Sequence, residues 1–329
     1  LSEEVYRTFY LPNRELLSLV TNVYREPGSG SSIKEVLEEN VGKDFRKAQI
    51  KRDIAYINLQ KEQGRLTSGE ADYWKEKIGN LQEYQYGYHK GWSMILDTLT
   101  WPVLIMMLIC IGIAPIFAGE YQSKCDSLIL CMKYGRSKLI LAKIISGWLY
   151  ATGVYWGITL IYSSIYMIFL GTQGADLPIQ LKYPAMSVGY NLTMGEAVGI
   201  TLLLGYFFTL GIMGITLFMS ALLKNTYAVI IVAFLLIIIP TFLSLDTGGY
   251  VWSHVLSLLP PKIADFSFQS YTAYSIGNIV LSWPVMAILV NAIVAVLCSV
   301  LGYIIFRKHQ IKSKGFSGEA SPLCLGNIP

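Results

Sequence analysis

Charged side chains are scarce in this chain of 329 residues, because Asp, Glu, Lys and Arg together make up only 15% of it. Hydrophobic residues account for 53%, and the mean hydropathy is +0.46. Soluble domains of this size carry a larger share of charge. The composition therefore excludes an ordinary soluble protein and indicates an integral membrane protein. The net charge of +4 follows from basic residues placed between apolar segments, so no nucleic-acid partner is expected.

Cysteine and histidine are also sparse, with five and three residues respectively. No cysteine falls in the polar first part of the chain, which argues against a disulfide framework. Cys125 and Cys131 have no nearby His or third Cys, so their spacing does not suit zinc. The sequence has no Walker A loop, no H-E-x-x-H and no G-x-S-x-G. It thus indicates neither an enzyme nor a metal site, and no cofactor is expected on this chain.

Most of the charge lies in the first 95 residues. They hold 14 basic and 14 acidic residues, which is 28 of the chain's 48 charges. We therefore expect a polar, net-neutral domain at 1–95, a membrane domain at 96–308 and a C-terminal tail at 309–329.

Capping signals and apolar periodicity predict helices within residues 1–95. A short helix is expected at about 33–40 and a longer one at about 43–63. Thr67 and Glu70 fit a capping box, so another helix is expected to begin there. It is expected to carry one continuous apolar stripe of Trp74, Ile78, Leu81, Tyr88, Trp92 and Ile95. Two such helices joined by a short turn are expected to pack as an antiparallel hairpin.

Five apolar runs follow, each long enough to cross roughly 30 Å of hydrocarbon. They lie at about 99–118, 144–170, 197–222, 226–245 and 283–306. Lys and Arg are unevenly divided between the connecting loops. Ten of them fall in one set of loops, at 119–143, 223–225 and 307–314. Only two fall in the other set, at 171–196 and 246–282.

This division predicts the orientation of the chain. Basic loops stay in the cytoplasm, so the first set and the C-terminus are expected inside, and residues 1–95 are expected to be extracellular. The predicted fold is an all-α protein of the plasma membrane, a polytopic helix bundle with an extracellular helical domain. Five spans are visible. A sixth, ahead of Leu1 and with a cytoplasmic N-terminus, is expected because the outside domain needs an anchor at its other end.

Two further regions carry local signals. The run at 197–222 is rich in small residues, and Gly195, Gly199 and Gly205 are expected to let helices approach closely. The loop at 246–282 contains a Pro-Pro pair and is expected to form one or two short helices at the outer surface.

The segment from Phe117 to Lys143 is the most informative part of the membrane domain. It holds five of the 26 Lys and Arg residues. We expect a short helix at about 121–132 along the inner membrane surface, a turn at 134–136, and Ser137 capping the next span. On charge alone, a cytoplasmic loop of this kind contacts lipid phosphates.

The spacing of particular residues in this segment adds a second interpretation. Phe117-x-x-Glu120 is followed by Tyr134-Gly135-Arg136-Ser137-Lys138 and then by Ala142-Lys143. The arrangement resembles the permease subunits of ATP-binding-cassette exporters of the second type. In that family a span ends in F-x-x-E, a cytoplasmic coupling helix follows, and a G-R turn leads into the next span. The resemblance covers roughly 96–308, although Lys124 and Cys125 stand where bacterial members often have Gly-Thr.

The resemblance implies a function. A separate cytoplasmic ATPase subunit would bind ATP and Mg²⁺, and a second permease copy or a paralogue would complete the pathway. The expected cargo is an amphipathic peptide, a lipid or a drug-like molecule, moved out of the cell. The residues implied in ATPase coupling are Phe117, Glu120, Tyr121, Asp126, Lys133, Gly135, Arg136, Lys138 and Lys143.

Two questions stay open at the level of sequence. Four aromatic residues of the second apolar run either line a substrate path or pack between helices. They are Tyr150, Tyr155, Trp156 and Tyr162. The alternative function is a membrane-anchored sensor, in which an extracellular ligand-binding helical domain signals to a cytoplasmic partner other than an ATPase.

Overall fold

A computed structural model describes residues 3–24, 33–39, 43–80, 86–98, 101–135, 137–184, 187–245, 249–277 and 279–308. These ranges contain thirteen α-helices of six or more residues. The first five are α1 Arg14–Tyr24, α2 Ile33–Glu39, α3 Phe45–Glu62, α4 Ser68–Gly79 and α5 Lys90–Asp97. The others are α6 Trp101–Ile113, α7 Pro115–Gln122, α8 Asp126–Cys131, α9 Lys138–Leu170, α10 Met194–Leu222, α11 Thr226–Phe242, α12 Gly249–Ser257 and α13 Trp283–Lys308.

The chain divides into two compact units, each assembled from separate stretches. Unit 1 comprises Leu1–Trp101, Thr159–Gly205 and Leu243–Leu289. Unit 2 comprises Pro102–Ile158, Tyr206–Phe242 and Val290–Pro329.

A helical hairpin of α3 and α4 forms the centre of the first part of unit 1. The two helices pack against one another, and α1 packs against α3. The capping box predicted at the start of α4 is confirmed, since Glu70 N–H donates to Thr67 Oγ1 and Thr67 N–H donates to a Glu70 carboxylate oxygen. Gly64 has a φ of 70° in the turn before it, a conformation that favours glycine.

The single apolar stripe predicted for 74–95 is wrong. Helix α4 ends at Gly79, and the next helix, α5, begins only at Lys90. Trp74, Ile78 and Ile95 are buried, but Tyr88 is exposed. Leu81 lies outside the described residues. The helical spacing of the apolar residues continues beyond Gly79, although the helix ends there. Spacing alone was therefore not sufficient to predict one helix.

The indole of Trp74 connects α4 to the later stretches of unit 1. It is fully buried, its Nε1–H donates to the Tyr271 carbonyl oxygen at 2.6 Å, and its ring lies 4.9 Å from that of Tyr190. Gly189 is required beside it, because a Cβ there would lie 2.9 Å from an indole carbon. Trp74 therefore belongs to the core of the unit.

The loop predicted to hold short helices does contain them. These are α12 and a 3-10 helix at Pro260–Asp265. The structure adds a β-hairpin that the all-α prediction missed, with β1 Ala273–Ile276 antiparallel to β2 Ile279–Ser282. Gly277 between the strands has a φ of 62°. The Gly277-Asn278 dipeptide in the sequence is typical of two-residue hairpin turns and could have predicted this hairpin.

Four helical segments are long and apolar enough to cross a membrane. They are Pro102–Gln122, Lys138–Leu170, Met194–Leu222 and Trp283–Lys308. The remaining predicted span corresponds to α11, which is apolar but has 17 residues. At 1.5 Å per residue it is about 26 Å long, near the lower limit for a spanning helix. The chain is thus a mostly helical membrane protein.

Close helix approaches in unit 2 occur at two other glycines of α10. A Cβ at Gly214 would lie 2.7 Å from the Ala295 Cα, and one at Gly211 would lie 2.6 Å from Asn291 Oδ1. By contrast, a Cβ at Gly199 would meet nothing within 4 Å, and Gly195 packs against the Ala175 carbonyl of a loop. Gly205 is buried. Within the described chain, the close helix approaches of α10 therefore lie at Gly211 and Gly214 and not at Gly195 or Gly199.

Candidate functional site

The candidate site begins at a break in the first membrane segment of unit 2. Pro115 starts α7 directly after α6, and proline removes a backbone donor. The Ser220 hydroxyl of α10 fills the break, accepting from Phe117 N–H and Ala118 N–H at 3.0 Å each and donating to Ala114 O at 2.7 Å. A buried break is tolerated in a membrane when other groups satisfy the freed backbone in this way.

Two aromatic residues fix α7 within the unit. Phe117 is fully buried, and its ring lies 4.7 Å from that of Phe306. The Tyr121 ring lies 5.4 Å from the same Phe306, and its hydroxyl donates to Ala221 O at 3.1 Å. Both residues therefore hold the end of the helix in place from inside the unit.

An ion pair closes the segment at its two ends. Glu120 at the end of α7 pairs with Lys143 of α9, and both side chains are about three quarters buried. Lys143 Nζ also donates to Ile116 O at 3.0 Å. Two residues that are 23 positions apart are thus brought together, so the chain between them forms a closed loop.

The predicted coupling helix is shorter than expected. Tyr121 belongs to α7, and Lys124 follows in a turn with a φ of 56°. Only α8, six residues long, remains as a separate helix. The turn interrupts the helix because a residue in the left-handed conformation, such as Lys124, cannot continue a right-handed helix.

The turn after α8 depends on Gly135. A Cβ at this position would lie 1.6 Å from the Ile129 carbonyl oxygen, so no other residue fits without a shift of the backbone. Gly135 N–H donates to Met132 O at 3.0 Å. The predicted turn is present, while Arg136 lies outside the described residues.

The closed loop presents an exposed apolar and basic surface. Its apolar members are Leu128, Met132 and Tyr134. The ammonium groups of Lys133 and Lys138 lie 5.6 and 4.6 Å from the centre of the Tyr134 ring. This combination suits either a protein partner or a lipid surface. Asp126 is in α8, but its side chain is not among those described.

The residues proposed for a substrate path do not share one environment. Tyr155 is buried in the core of unit 2, where its ring lies 5.6 Å from that of Tyr206. Trp156 is half-buried against the same Tyr206, and Tyr150 fills the space beside Gly112. Tyr162 is half-buried and belongs to unit 1. For Tyr155 at least, the structure favours packing between helices.

Sequence reasoning missed the role of Ser220. The available signal was Pro115 inside an otherwise continuous apolar run, because a proline within a membrane segment leaves backbone groups that need another partner. In the ranges that the structure describes, no three His, Cys, Asp or Glu side chains are placed to hold a metal ion.

The chain was compared with known proteins. No curated protein and no solved structure matches it significantly. One family model, described as "Protein of unknown function (DUF2705)", matches residues 73–311. The match covers well over half of the chain and includes the whole closed loop, so the protein belongs to the DUF2705 family.

Proposed function

We propose that this chain is the permease subunit of an ATP-driven exporter in the plasma membrane and that the loop from Phe117 to Lys143 couples it to a separate cytoplasmic ATPase. The observation that carries the proposal is the Glu120–Lys143 ion pair, which joins the two ends of the motif. A loop that transmits movement must be attached to its helices at both ends.

The surroundings of the ion pair support this role. Phe117 and Tyr121 fix α7 in the core of unit 2, and Gly135 fixes the return turn. The exposed members Leu128, Met132 and Tyr134 remain available to a partner. Attached ends with an exposed apolar middle are what a docking element requires.

The proposed orientation has separate support. The loop at 119–143 belongs to the basic set, and positive-inside bias predicts that this set is cytoplasmic. Residues 1–101 share unit 1 with the stretches at 171–193 and 243–282, which overlap the Lys- and Arg-poor loops at 171–196 and 246–282. These stretches pack together and are therefore proposed to lie on one side, the outside. A second permease copy or a paralogue is proposed to complete the pathway for an amphipathic peptide, lipid or drug-like cargo.

The first experiment is a pull-down of the full chain from its native membrane in mild detergent, with partners identified by mass spectrometry. A stoichiometric partner with a Walker A loop is the expected result. A different cytoplasmic partner in its place would contradict the exporter.

The ion pair can be tested in the same complex. Glu120→Ala removes the carboxylate that pairs with the mostly buried Lys143. Breaking a buried ion pair in this way costs about 3 kcal/mol of folding free energy. We expect loss of the co-purified ATPase or of its stimulation by the permease. The swapped pair Glu120→Lys with Lys143→Glu should recover part of that loss. Wild-type coupling in Glu120→Ala and Arg136→Ala alike would remove the assignment.

A sensor is the second candidate, and one observation favours it. Unit 1 contains a cavity of about 500 Å³ between the α3–α4 turn and the stretch from α12 to Thr272. Gln60, Gln63, Tyr56 and Gln269 are among its lining residues. The volume of this cavity lies within the range of small-molecule sites. The pull-down separates the two candidates, because a sensor predicts no ATPase partner.

A further inference from the structure

A second cavity of unit 1 lies among residues that the coupling proposal does not use. Its volume is about 640 Å³, within the range of small-molecule sites. Within the described ranges, four stretches of the chain line it: residues 11–14, residues 86–90, the first turns of α5 with Asp97, and residues 181–184. A site assembled from separate stretches exists only in the folded unit.

The charges around this cavity are mostly positive. Among the lining residues that the structure describes, Arg14, Lys90 and Lys182 are basic and Asp97 alone is acidic. Lys182 Nζ donates to Asp97 Oδ1 at 2.6 Å and to Ser93 O at 3.0 Å, so the Asp97 carboxylate is already paired with a cation. The Arg14 guanidinium and the Lys90 ammonium group have no ion pair or hydrogen bond with any part of the chain that the structure describes. Two cations therefore remain for a ligand.

The rim of the cavity is apolar and aromatic. Leu11, Tyr86 and Tyr88 line it and are about half-exposed, and Phe9, also exposed, comes two residues before Leu11. Asp97 comes four residues before Trp101, where the apolar helix α6 begins. Aromatic residues next to the start of a membrane segment are typical of the membrane–water interface. A ligand here would meet cations and apolar surface at once.

We propose that this cavity binds the phosphate headgroup of an anionic amphiphile, with a membrane phospholipid of negative net charge as its source. Arg14 supplies the planar fork that matches two phosphate oxygens, and Lys90 supplies a point charge beside it. The exposed Leu11, Tyr86 and Tyr88 cover the first carbons of the acyl chains. The inference does not depend on the exporter proposal, because it concerns residues outside the closed loop.

The test uses the full chain purified in a non-ionic detergent, with binding measured by calorimetry. The probes are short-chain phosphatidylglycerol, short-chain phosphatidylcholine and glycerol 3-phosphate. We expect phosphatidylglycerol to bind more tightly than phosphatidylcholine. The double variant Arg14→Gln/Lys90→Gln should weaken phosphatidylglycerol binding about tenfold, since it removes two basic residues that attract an anionic headgroup.

A matched control removes the same charge elsewhere. Lys51 and Lys61 are exposed on α3 and do not line the cavity. Lys51→Gln/Lys61→Gln should leave the affinity unchanged; an equal loss in both double variants would overturn the site. Equal binding of phosphatidylcholine, insensitive to Arg14→Gln/Lys90→Gln, would also overturn it. Glycerol 3-phosphate binding as tightly as the lipid, with the same sensitivity, would uphold the phosphate site and reject the membrane source.

Discussion

The acidic side chain of Asp53, on α3 of unit 1, is fully buried. Its Oδ1 lies 2.9 Å from Arg52 Nη2 and 3.0 Å from Arg52 Nε. Burial raises the pKa of Asp53 because it penalises the charged form, and this outweighs the opposite effect of the Arg52 charge. The folded protein therefore holds the Asp53 proton to a higher pH than the unfolded chain does.

This shift predicts a pH dependence of stability. As pH rises from the ordinary aspartate pKa of 3.8 through the raised pKa of the folded state, the unfolded chain loses its proton first, so Asp53 stabilises the fold less. Asp53→Asn removes the titration. We expect the unfolding temperature of the variant, relative to wild type, to rise between about pH 4 and pH 7 in thermal unfolding of the purified chain.

The control for this prediction is Asp72→Asn, which changes an exposed carboxylate on the neighbouring helix α4. An equal rise with pH in Asp72→Asn would show that the effect is not specific to Asp53. A difference for Asp53→Asn that is flat or falls with pH would mean that the fold does not raise the pKa of Asp53.

At the scale of elements, the break between α6 and α7 depends on a side chain from α10. Ser220 satisfies three backbone groups that Ala at that position would leave without a partner. Hydrogen bonds inside membrane bundles contribute about 0.6 kcal/mol on average and up to about 1.7. We expect Ser220→Ala to lower the free energy of unfolding by about 1–3 kcal/mol, measured by denaturant titration in detergent.

Thr209 provides the matched control on the same helix. It is fully buried, and its Oγ1 has no hydrogen-bond partner in the described ranges. Removing an unsatisfied buried hydroxyl with Thr209→Val should be neutral or stabilising. Losses of similar size in Thr209→Val and Ser220→Ala would show that the break does not depend on the Ser220 hydroxyl.

The sequence predicted elements wherever the signal was local. The capping box at Thr67 fixes the start of α4 through hydrogen bonds within four residues, and so it could be predicted. The arrangement of the residues from Trp74 to Ile95 could not be predicted in this way, because Trp74 and Ile95 lie on different helices and their burial depends on tertiary packing. The same holds for the coupling segment. Its motif residues could be named, but the contact of Gly135 with Ile129 and the Ser220 bridge depend on three-dimensional packing.

At the scale of the whole molecule, composition is the strongest signal. The low share of charge predicted a membrane protein rather than a soluble domain. The structure agrees, since four of its helices have the length and hydropathy of membrane segments. The division into units was not predictable in this way. Unit 1 gathers three stretches of the chain, because the loops at 171–193 and 243–282 bury aromatic residues such as Tyr190 and Tyr271 against Trp74.

Orientation in the membrane is the prediction that belongs to this scale. Cys131 is exposed in the basic segment, and Lys61 and Gln173 are exposed in unit 1, so each site is open to a reagent from its own side. In a variant with Cys131 as the single cysteine, a membrane-impermeant maleimide should react only after the cells are permeabilised. In a cysteine-free chain carrying Lys61→Cys or Gln173→Cys, the reagent should label intact cells. Labelling of Cys131 in intact cells would place the basic loop outside and exclude a cytoplasmic ATPase as its partner. Opposite results for Lys61→Cys and Gln173→Cys would place two stretches of unit 1 on different sides of the membrane. That outcome would contradict their packing in one unit.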